Sequence, residues 1–340
     1  MIGRHAIKIF GCILLASLLF YPFADGAEKS ITIKLATLAP EGSSWMKTFN
    51  ALNKEVMKET DTRVQFRIYA GGILGDEMDL LRKMKIGQIQ GAALTSGGLS
   101  ALFREINVFQ IPFLFQNYEG VDAVLTRMDS FFKRGFEDNG YVLLGWSEGG
   151  FIYLMSTIPV SSVADLQKAK VWIWEGSPMP QAIFDEAKVS AIPLSVPDVL
   201  VGLQTGLVNV VYAPPTGAIS LQWFTRIKYL TDVPLVYLAA GIVVKKDTFQ
   251  QISPSYQSSI IEISQRHLKQ LKAVTRNENR EAIQVMTKHG TKIVTPSKDQ
   301  IDEFKRLSDR AFGGRESPHF SKKVHDEVLS ILEGNRRQEK

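Results

Sequence analysis

Cysteine is nearly absent from this 340-residue chain, and Cys12 is its single copy. Because Cys12 sits in an apolar stretch near the N-terminus, the body of the chain has no disulfide and must be held by its core alone. Histidine is scarce as well. Beyond the N-terminal stretch it occurs as His267, His289, His319 and His325, with no pair at helical metal-ligand spacing. There is no cysteine nucleophile in the body, no Gly-x-Ser-x-Gly, no phosphate-binding glycine loop and no dinucleotide fingerprint, so nothing points to an enzyme, a cofactor or a metal. Glu148 and Glu175 are conceivable as an acid–base pair, but so many carboxylates supply such pairs by chance. No basic run or aromatic–basic stripe points to nucleic acid. No internal repeat or low-complexity segment occurs, and beyond the N-terminus no apolar run approaches the ~18 residues of a membrane span.

What is present begins with a leader. Arg4 and Lys8 precede a 15-residue apolar run from Ile9 to Phe23, too short for a comfortable span. Ala24-Asp25-Gly26 puts small residues at the −3 and −1 positions, which predicts a signal peptide over 1–26, cleavage before Ala27 and export. An uncleaved anchor and lipidation at Cys12 are the competing readings, the latter weakened because Cys12 opens the apolar run instead of ending it. The remaining ~314 residues keep 38 of the 40 Lys and Arg and 34 of the 35 Asp and Glu, a net of +4 with signs interspersed. At 45% hydrophobic composition the chain can bury a sizeable core, and its length predicts two domains. Residues 335–340 read as a frayed, solvated end.

Strand and helix signals alternate. Residues 31–37, 64–69, 91–95, 141–146, 151–156 and 208–212 read as strands, as does a segment around Trp172. Ser43 or Ser44 caps a helix to about Thr60, and Asp76 starts one to about Lys85. Another covers about 177–187, and Ser195-Val196-Pro197-Asp198 opens one that runs to Gly206. The alternation predicts an α/β class with mainly parallel sheets. Residues 254–289 differ. No glycine or proline follows Pro254 until Gly290, a C-terminal cap. At about 1.5 Å per residue one helix there spans roughly 54 Å, enough to brace two lobes, with a break near Asn277-Glu278-Asn279 as the alternative.

The most informative segment runs from Ala169 to Pro178. Alternation sets Trp172 and Trp174 on one face of a short strand. Two adjacent indoles either fill a core or make a large apolar wall with two N–H donors. Five blocks surround this segment in order: Leu38-Ala39-Pro40-Glu41-Gly42-Ser43-Ser44-Trp45; Tyr69-Ala70-Gly71-Gly72-Ile73-Leu74-Gly75-Asp76-Glu77; Val108-Phe109-Gln110-Ile111-Pro112-Phe113-Leu114-Phe115; Ile158-Pro159 through Asp165-Leu166 to Lys170-Val171; and Val199-Leu200-Val201-Gly202-Leu203-Gln204-Thr205-Gly206-Leu207-Val208-Asn209. Together they resemble the periplasmic substrate-binding subunits of TRAP transporters, the DctP-like family, over about 31–332.

The resemblance implies a two-lobe periplasmic binding protein fold with hinge strands, a ligand cleft and a long helix crossing both lobes. Lobe I would hold 27–149 plus 239–279, and lobe II 150–238 plus 280–340. It also implies a periplasmic location and partners in a small and a large TRAP membrane subunit driven by an ion gradient. The chain departs from the family pattern at three ligand positions. Trp172 stands where an arginine usually pairs with the ligand carboxylate, Ile152 where many members have a second arginine, and Ala213 where an asparagine is frequent. The usual Asp-Gly pair is Asn209-Val210. A carboxylate buried without a cation costs several kcal/mol. The expected ligand is therefore small and apolar or amphipathic, in a cleft lined by Ile152, Trp172, Trp174, Val196, Tyr212 and Ala213. Trp45 either joins this lining or serves as a packing staple. Thr95, Ser96 and Gly97 follow a strand at its C-terminal end, where they donate hydrogen bonds or make a turn. Trp223-Phe224 reads as core or lobe surface. The alternatives are an organic-acid binder with a relocated clamp such as Lys170 or Arg104, a carrier or chaperone for an apolar molecule without a TRAP permease, and a protein that has lost binding. In the subgroup that lacks the arginine, a TPR-repeat lipoprotein is a further implied partner.

Overall fold

The structure, a computed structural model, describes residues 30–313 and 317–338. The expected leader and its cleavage point lie outside the described residues. The chain runs through β1 (Ile31–Thr37), α1 (Ser44–Glu59), β2 (Val64–Tyr69), α2 (Glu77–Lys85), β3 (Gly91–Thr95), α3 (Ser96–Leu102), a 3-10 segment (Arg104–Gln110), α4 (Tyr118–Asp138) and β4 (Tyr141–Ser156). Next come α5 (Val163–Gln167), β5 (Val171–Trp174), α6 (Pro178–Glu186), β6 (Ala191–Leu194), a 3-10 turn (Val196–Asp198), α7 (Val199–Thr205), β7 (Val210–Ala213), α8 (Pro215–Ser220), β8 (Tyr229–Thr231) and β9 (Val236–Lys245). The last elements are α9 (Lys246–Phe249), α10 (Pro254–Lys288), β10 (Lys292–Val294), α11 (Lys298–Phe312) and α12 (Lys322–Gln338).

The strands form two sheets that share β4. The first has the order β2-β1-β3-β9-β4 and makes lobe I; the second continues from β4 through β7, β5 and β6 and makes lobe II, with β8 and β10 on the other edge of β4. β4 pairs with β9 from Tyr141 to Ile152 and with β7 from Tyr153 to Ser156. The sheets are mixed instead of mainly parallel. β1–β2, β1–β3, β5–β6 and β5–β7 are parallel, but β9 runs antiparallel to both β3 and β4. The two strands expected over 141–146 and 151–156 are one. The Gly149-Gly150 pair between them is absorbed as a register shift between Glu148 and Gly150. Gly150 has φ +95°, and a Cβ there would lie 2.4 Å from the Asn279 Nδ2 of α10. Only glycine lets the helix come that close.

Local signals explain the elements that flank the lobe interface. Ser43 caps α1 by accepting from the Met46 amide, and Met46, Phe49, Leu52 and Val56 form its buried stripe. Asp76 and Asp79 make a reciprocal capping box at the start of α2. α10 is continuous over 35 residues, roughly 52 Å, so the break near Asn277 does not occur. Its first half packs Ile260, Ile263, Leu268 and Leu271 against Phe49 and Leu52 of lobe I, while Met286 joins Trp172 and Val199 in lobe II.

The C-terminal region corrects two expectations. Residues 335–338 are the last turn of α12 and not a frayed end, with Arg336 and Arg337 placed where basic side chains favour a helix C-terminus. Nor does α12 stay with lobe II. Val324, Val328, Ile331 and Leu332 join Val121, Val124 and Leu125 of α4 in the lobe I core. Apolar residues four apart on α12 match a stripe left open on α4, so the chain returns to where the area is buried.

At the crossing of β4, β9, α4 and α10 lies a buried ion network. Glu148 of β4 is fully buried. Arg276 of α10 donates to Glu148 Oε1 at 2.7 Å and Oε2 at 2.9 Å and makes two 2.7 Å bonds to Asp122 of α4. The Tyr237 hydroxyl of β9 donates to Glu148 at 2.7 Å, and the guanidinium sits 4.3 Å from the Tyr118 ring centroid. Glu148 is thus occupied, and Glu175 is exposed, so the two do not form an acid–base pair. Removing one partner of a buried pair leaves the other charge without compensation. Arg276→Met is expected to lower stability by about 3–5 kcal/mol, and Glu148→Gln in the same chain should recover part of that loss. Chemical denaturation of the three proteins measures both numbers, and a change below about 1 kcal/mol in Arg276→Met would show that the network is dispensable.

Candidate functional site

The two lobes meet around a cavity of about 580 Å³. Its wall takes Thr37 from the end of β1, Thr95 from the end of β3, Trp174 from the end of β5 and Ala213 from the end of β7. The cavity therefore lies at the C-terminal ends of parallel strands in both sheets, where no side chain is needed to continue the ladder and loops diverge.

Among the residues expected from sequence, Ile152, Trp172, Trp174, Val196, Tyr212, Ala213, Trp45, Thr95 and Gly97 line this cavity. Ser96 does not; it is fully buried behind the wall as the first residue of α3. The two readings of the tryptophan pair are both realised. Trp172 is 2% exposed, yet it borders the cavity while stacking on Tyr212 at 4.8 Å and edge-on against Trp223 at 5.3 Å. Its indole N–H donates to the Leu194 carbonyl at 3.0 Å. Trp174 lies parallel beside it at 6.3 Å, more open to the cavity. Trp45 is likewise both lining and staple, edge-on to Phe49 at 5.8 Å.

Sequence reasoning missed the far part of the lobe II wall. Met179, Ile183 and Phe184 of α6 and Phe304 and Leu307 of α11 also line the cavity. Their apolar spacing is visible in sequence, but it reads the same for a helix that faces a core and for one that faces a cleft. Trp223 was read as core or surface and is a lining residue as well.

The charges around the cavity are few. Among the described lining residues Lys47 is the single basic side chain, against Glu77, Glu278 and Glu281. No arginine is among them. Arg104 pairs with Glu105 and Lys170 donates to the Gly206 carbonyl at 2.9 Å, and neither reaches the cavity. Ser44 on α1 donates to Glu278 on α10. Glu77 points inward and accepts from the Thr95 amide at 2.6 Å, the Thr95 hydroxyl at 3.0 Å and the Gly98 amide at 2.7 Å. Its neighbour Asp76 accepts from three N–H groups, two of them in lobe II. Among the described residues no group of three or more His, Cys, Asp or Glu is placed to hold a metal ion, and no helix is long and apolar enough to cross a membrane.

Two α/β lobes hung on shared strands, with a cavity at the facing strand ends, define a two-lobe solute-binding protein. Residues 35–312 match the family described as bacterial extracellular solute-binding protein, family 7 (DctP), and the chain belongs to that family. It is 24% identical over 251 residues to the 2,3-diketo-L-gulonate-binding periplasmic protein YiaO of Escherichia coli, covering 73% of this chain and 75% of that one. In fold it is similar to the sugar acid binding protein DctPAm of Advenella mimigardefordensis in complex with galactonate. The TM-score is 0.83 at 19% identity, with 90% of this chain and 99% of that one covered. A TRAP solute-binding protein of Pseudomonas putida with bound D-glucuronate gives a TM-score of 0.79 at 19% identity, covering 90% and 97%.

Burial drives the Glu77 carboxyl up to about 7, against the opposing pull of its Thr95 and Gly98 donors, and the nearby Asp76 charge adds to the rise. In the unfolded chain the same group titrates near 4.5. Between these values the folded protein keeps a proton that the unfolded chain releases. The stability Glu77 contributes is thus greatest below about pH 4.5 and is lost as pH rises to about 7. Glu77→Gln is expected to remove about 1–3 kcal/mol of that pH dependence. Denaturation curves of both proteins at about pH 5 and about pH 7.5 check it, and identical pH slopes would show that the backbone donors keep Glu77 ionised throughout.

Proposed function

We propose that this chain is the exported ligand-capturing subunit of a TRAP-type transporter, and that its cleft takes a small, largely apolar ligand with no carboxylate to be clamped. The observation that carries the reading is a cavity of about 580 Å³ in which no arginine is among the described lining residues and Trp172, Trp174, Phe184 and Leu307 supply much of the wall. A ligand carboxylate in such a place would be dehydrated without a partner, at a penalty of several kcal/mol. It would also face Glu77, Glu278 and Glu281. Apolar burial suffices without an ion pair. Roughly 450 Å² of ligand surface at about 25 cal/mol per Å² gives on the order of 11 kcal/mol gross. After association costs of a few kcal/mol that leaves micromolar affinity.

In this proposal the protein works in the periplasm and hands its ligand to a small and a large membrane subunit, with a TPR-repeat lipoprotein as a further partner. Residues 150–238 together with 280–312 move as the second lobe on β4 and β9. The closed form is already populated without ligand, and the ligand shifts the balance further toward it because the closed form binds it better. Genes for the membrane subunits beside this one separate a transporter subunit from a free carrier of apolar molecules.

A second reading is supported by the relatives, whose named ligands are sugar acids. Lys47 would then take the role of the missing arginine as a point charge at the cleft. One experiment divides the two. The protein is purified from its own host, any bound molecule is identified by native mass spectrometry and extraction, and the unliganded protein is titrated with that molecule, D-glucuronate and galactonate. On the first reading the extracted molecule lacks a carboxylate, neither sugar acid binds below millimolar concentration, and Lys47→Ala changes affinity less than about threefold. Micromolar binding of a sugar acid that Lys47→Ala weakens at least about tenfold, ~1.4 kcal/mol, would establish the second.

A further inference from the structure

One side chain that joins the lobes across the cleft is Asp76. It belongs to lobe I, where it caps α2 and its Oδ1 accepts from the Glu77 amide at 2.7 Å. Its other oxygen faces lobe II. Oδ2 accepts from the Trp174 indole N–H at 2.9 Å and from the Val196 amide at 2.7 Å. These donors come from separate elements, the end of β5 and the turn after β6. A single carboxylate oxygen thus gathers two donors across the cleft, and the residue is only 7% exposed.

The surroundings are shaped for this approach. A Cβ on Gly72 would lie 3.4 Å from the Pro197 ring, and one on Gly176 would lie 3.4 Å from Met78. Each of these pairs spans the two lobes beside Asp76, so the backbones face each other there at about one side chain's distance. Water is largely excluded from the carboxylate, since Asp76 itself is only 7% exposed. Charge-assisted bonds are about twice as strong as neutral ones, and exclusion of water is what makes them so. With the lobes apart, water would serve Asp76, Trp174 and Val196 equally well and the tie would have no value.

We propose that Asp76 is the latch of lobe closure, and that it acts through Trp174, so that closing the cleft and fixing the ligand-facing indole are one event. The Trp174 ring lines the cavity, and its N–H is the atom Asp76 holds. The ring cannot rotate away from the ligand without losing its bond to Asp76, and the latch is complete only when the ring is in place. This inference rests on the two-lobe cleft and not on which ligand fills it, so its test uses the unliganded full chain.

The decisive variant is Asp76→Ser. Serine is as good a helix cap as aspartate, so α2 keeps its start, but the side chain is too short to reach lobe II. Amide and indole hydrogen exchange by NMR should show Val196 N–H and Trp174 Nε1–H protected together in the parent. Both should exchange at least about tenfold faster in Asp76→Ser. The amides of the β1–β2 ladder, within lobe I and away from Asp76, serve as internal controls and should not change. Small-angle scattering should show a larger radius for Asp76→Ser than for the parent at unchanged melting temperature. Trp174→Phe, which keeps a ring but removes one donor, should fall between them. The proposal is overturned if the parent leaves both protons unprotected. It is overturned as well if Asp76→Ser has the parent's radius, or if Trp174→Phe leaves Val196 protection and radius unchanged.

Discussion

Everything in this molecule hangs on a strand that belongs to two sheets. β4 is 16 residues long and gives its first part to lobe I and its last part to lobe II. A strand shared in this way cannot be tilted freely, because each half is bonded into a ladder of its own. What positions it is charge as well as pairing. Arg276 on the long helix binds Glu148 in the middle of β4 and Asp122 on α4 at the same time. Burial works against the Arg276 charge, but the bonds to Asp122 and Glu148 outweigh it and hold its pKa above the usual value. The helix, the shared strand and the lobe I core are thereby pinned at one point. Just past that point come Gly149 and Gly150, whose backbone lies against Asn279. The ion network and the glycine pair are adjacent, so α10 grips β4 at two successive points at the lobe boundary.

The cleft follows from that arrangement. It opens where parallel strands of both sheets end, and its character is set by what those ends carry. Lobe II contributes large rings and aliphatic groups, and most of its polar atoms are already spent. The Trp172 indole is bonded to Leu194, the Tyr212 hydroxyl accepts from the Trp174 amide at 3.0 Å, and the Trp174 indole is held by Asp76. A wall whose two indole donors are satisfied internally offers an incoming ligand contact area more than hydrogen bonds. The charged remainder at the cleft is Lys47 on α1, Glu77 on α2 and Glu278 and Glu281 on α10. The proposed ligand and the proposed latch are thus two consequences of one fact, that the tryptophans here are anchored by the protein itself.

Much of the architecture was legible in sequence. The caps at Ser43 and Asp76, the alternation of β1 and β2 and the uninterrupted stretch after Pro254 all produce the elements they announce. Misreadings arose where a local signal had a non-local resolution. Two strands are read from sequence on either side of Gly149-Gly150, and only the packing of α10 makes that pair a close approach inside a single strand. β9 is apolar on both faces and gave no alternation to read; it is the central antiparallel partner that makes the sheets mixed. α12 carries an ordinary amphipathic stripe, and nothing in that stripe names the lobe it will cover.

The sequence by itself determined the class of the fold and the family, because these depend on residue identity and order. It also set Trp172 and Trp174 on a common face, since strand periodicity needs no partner to be read. Only the tertiary structure decided that Trp172 is core and wall at once. The same holds for α6 and α11 closing the far side of the cavity and for Asp76 reaching across to Trp174, 98 residues away in the chain. Those outcomes depend on distances between segments that no local pattern encodes, because a hydrogen bond or a buried contact is a property of two surfaces and each segment specifies only one of them.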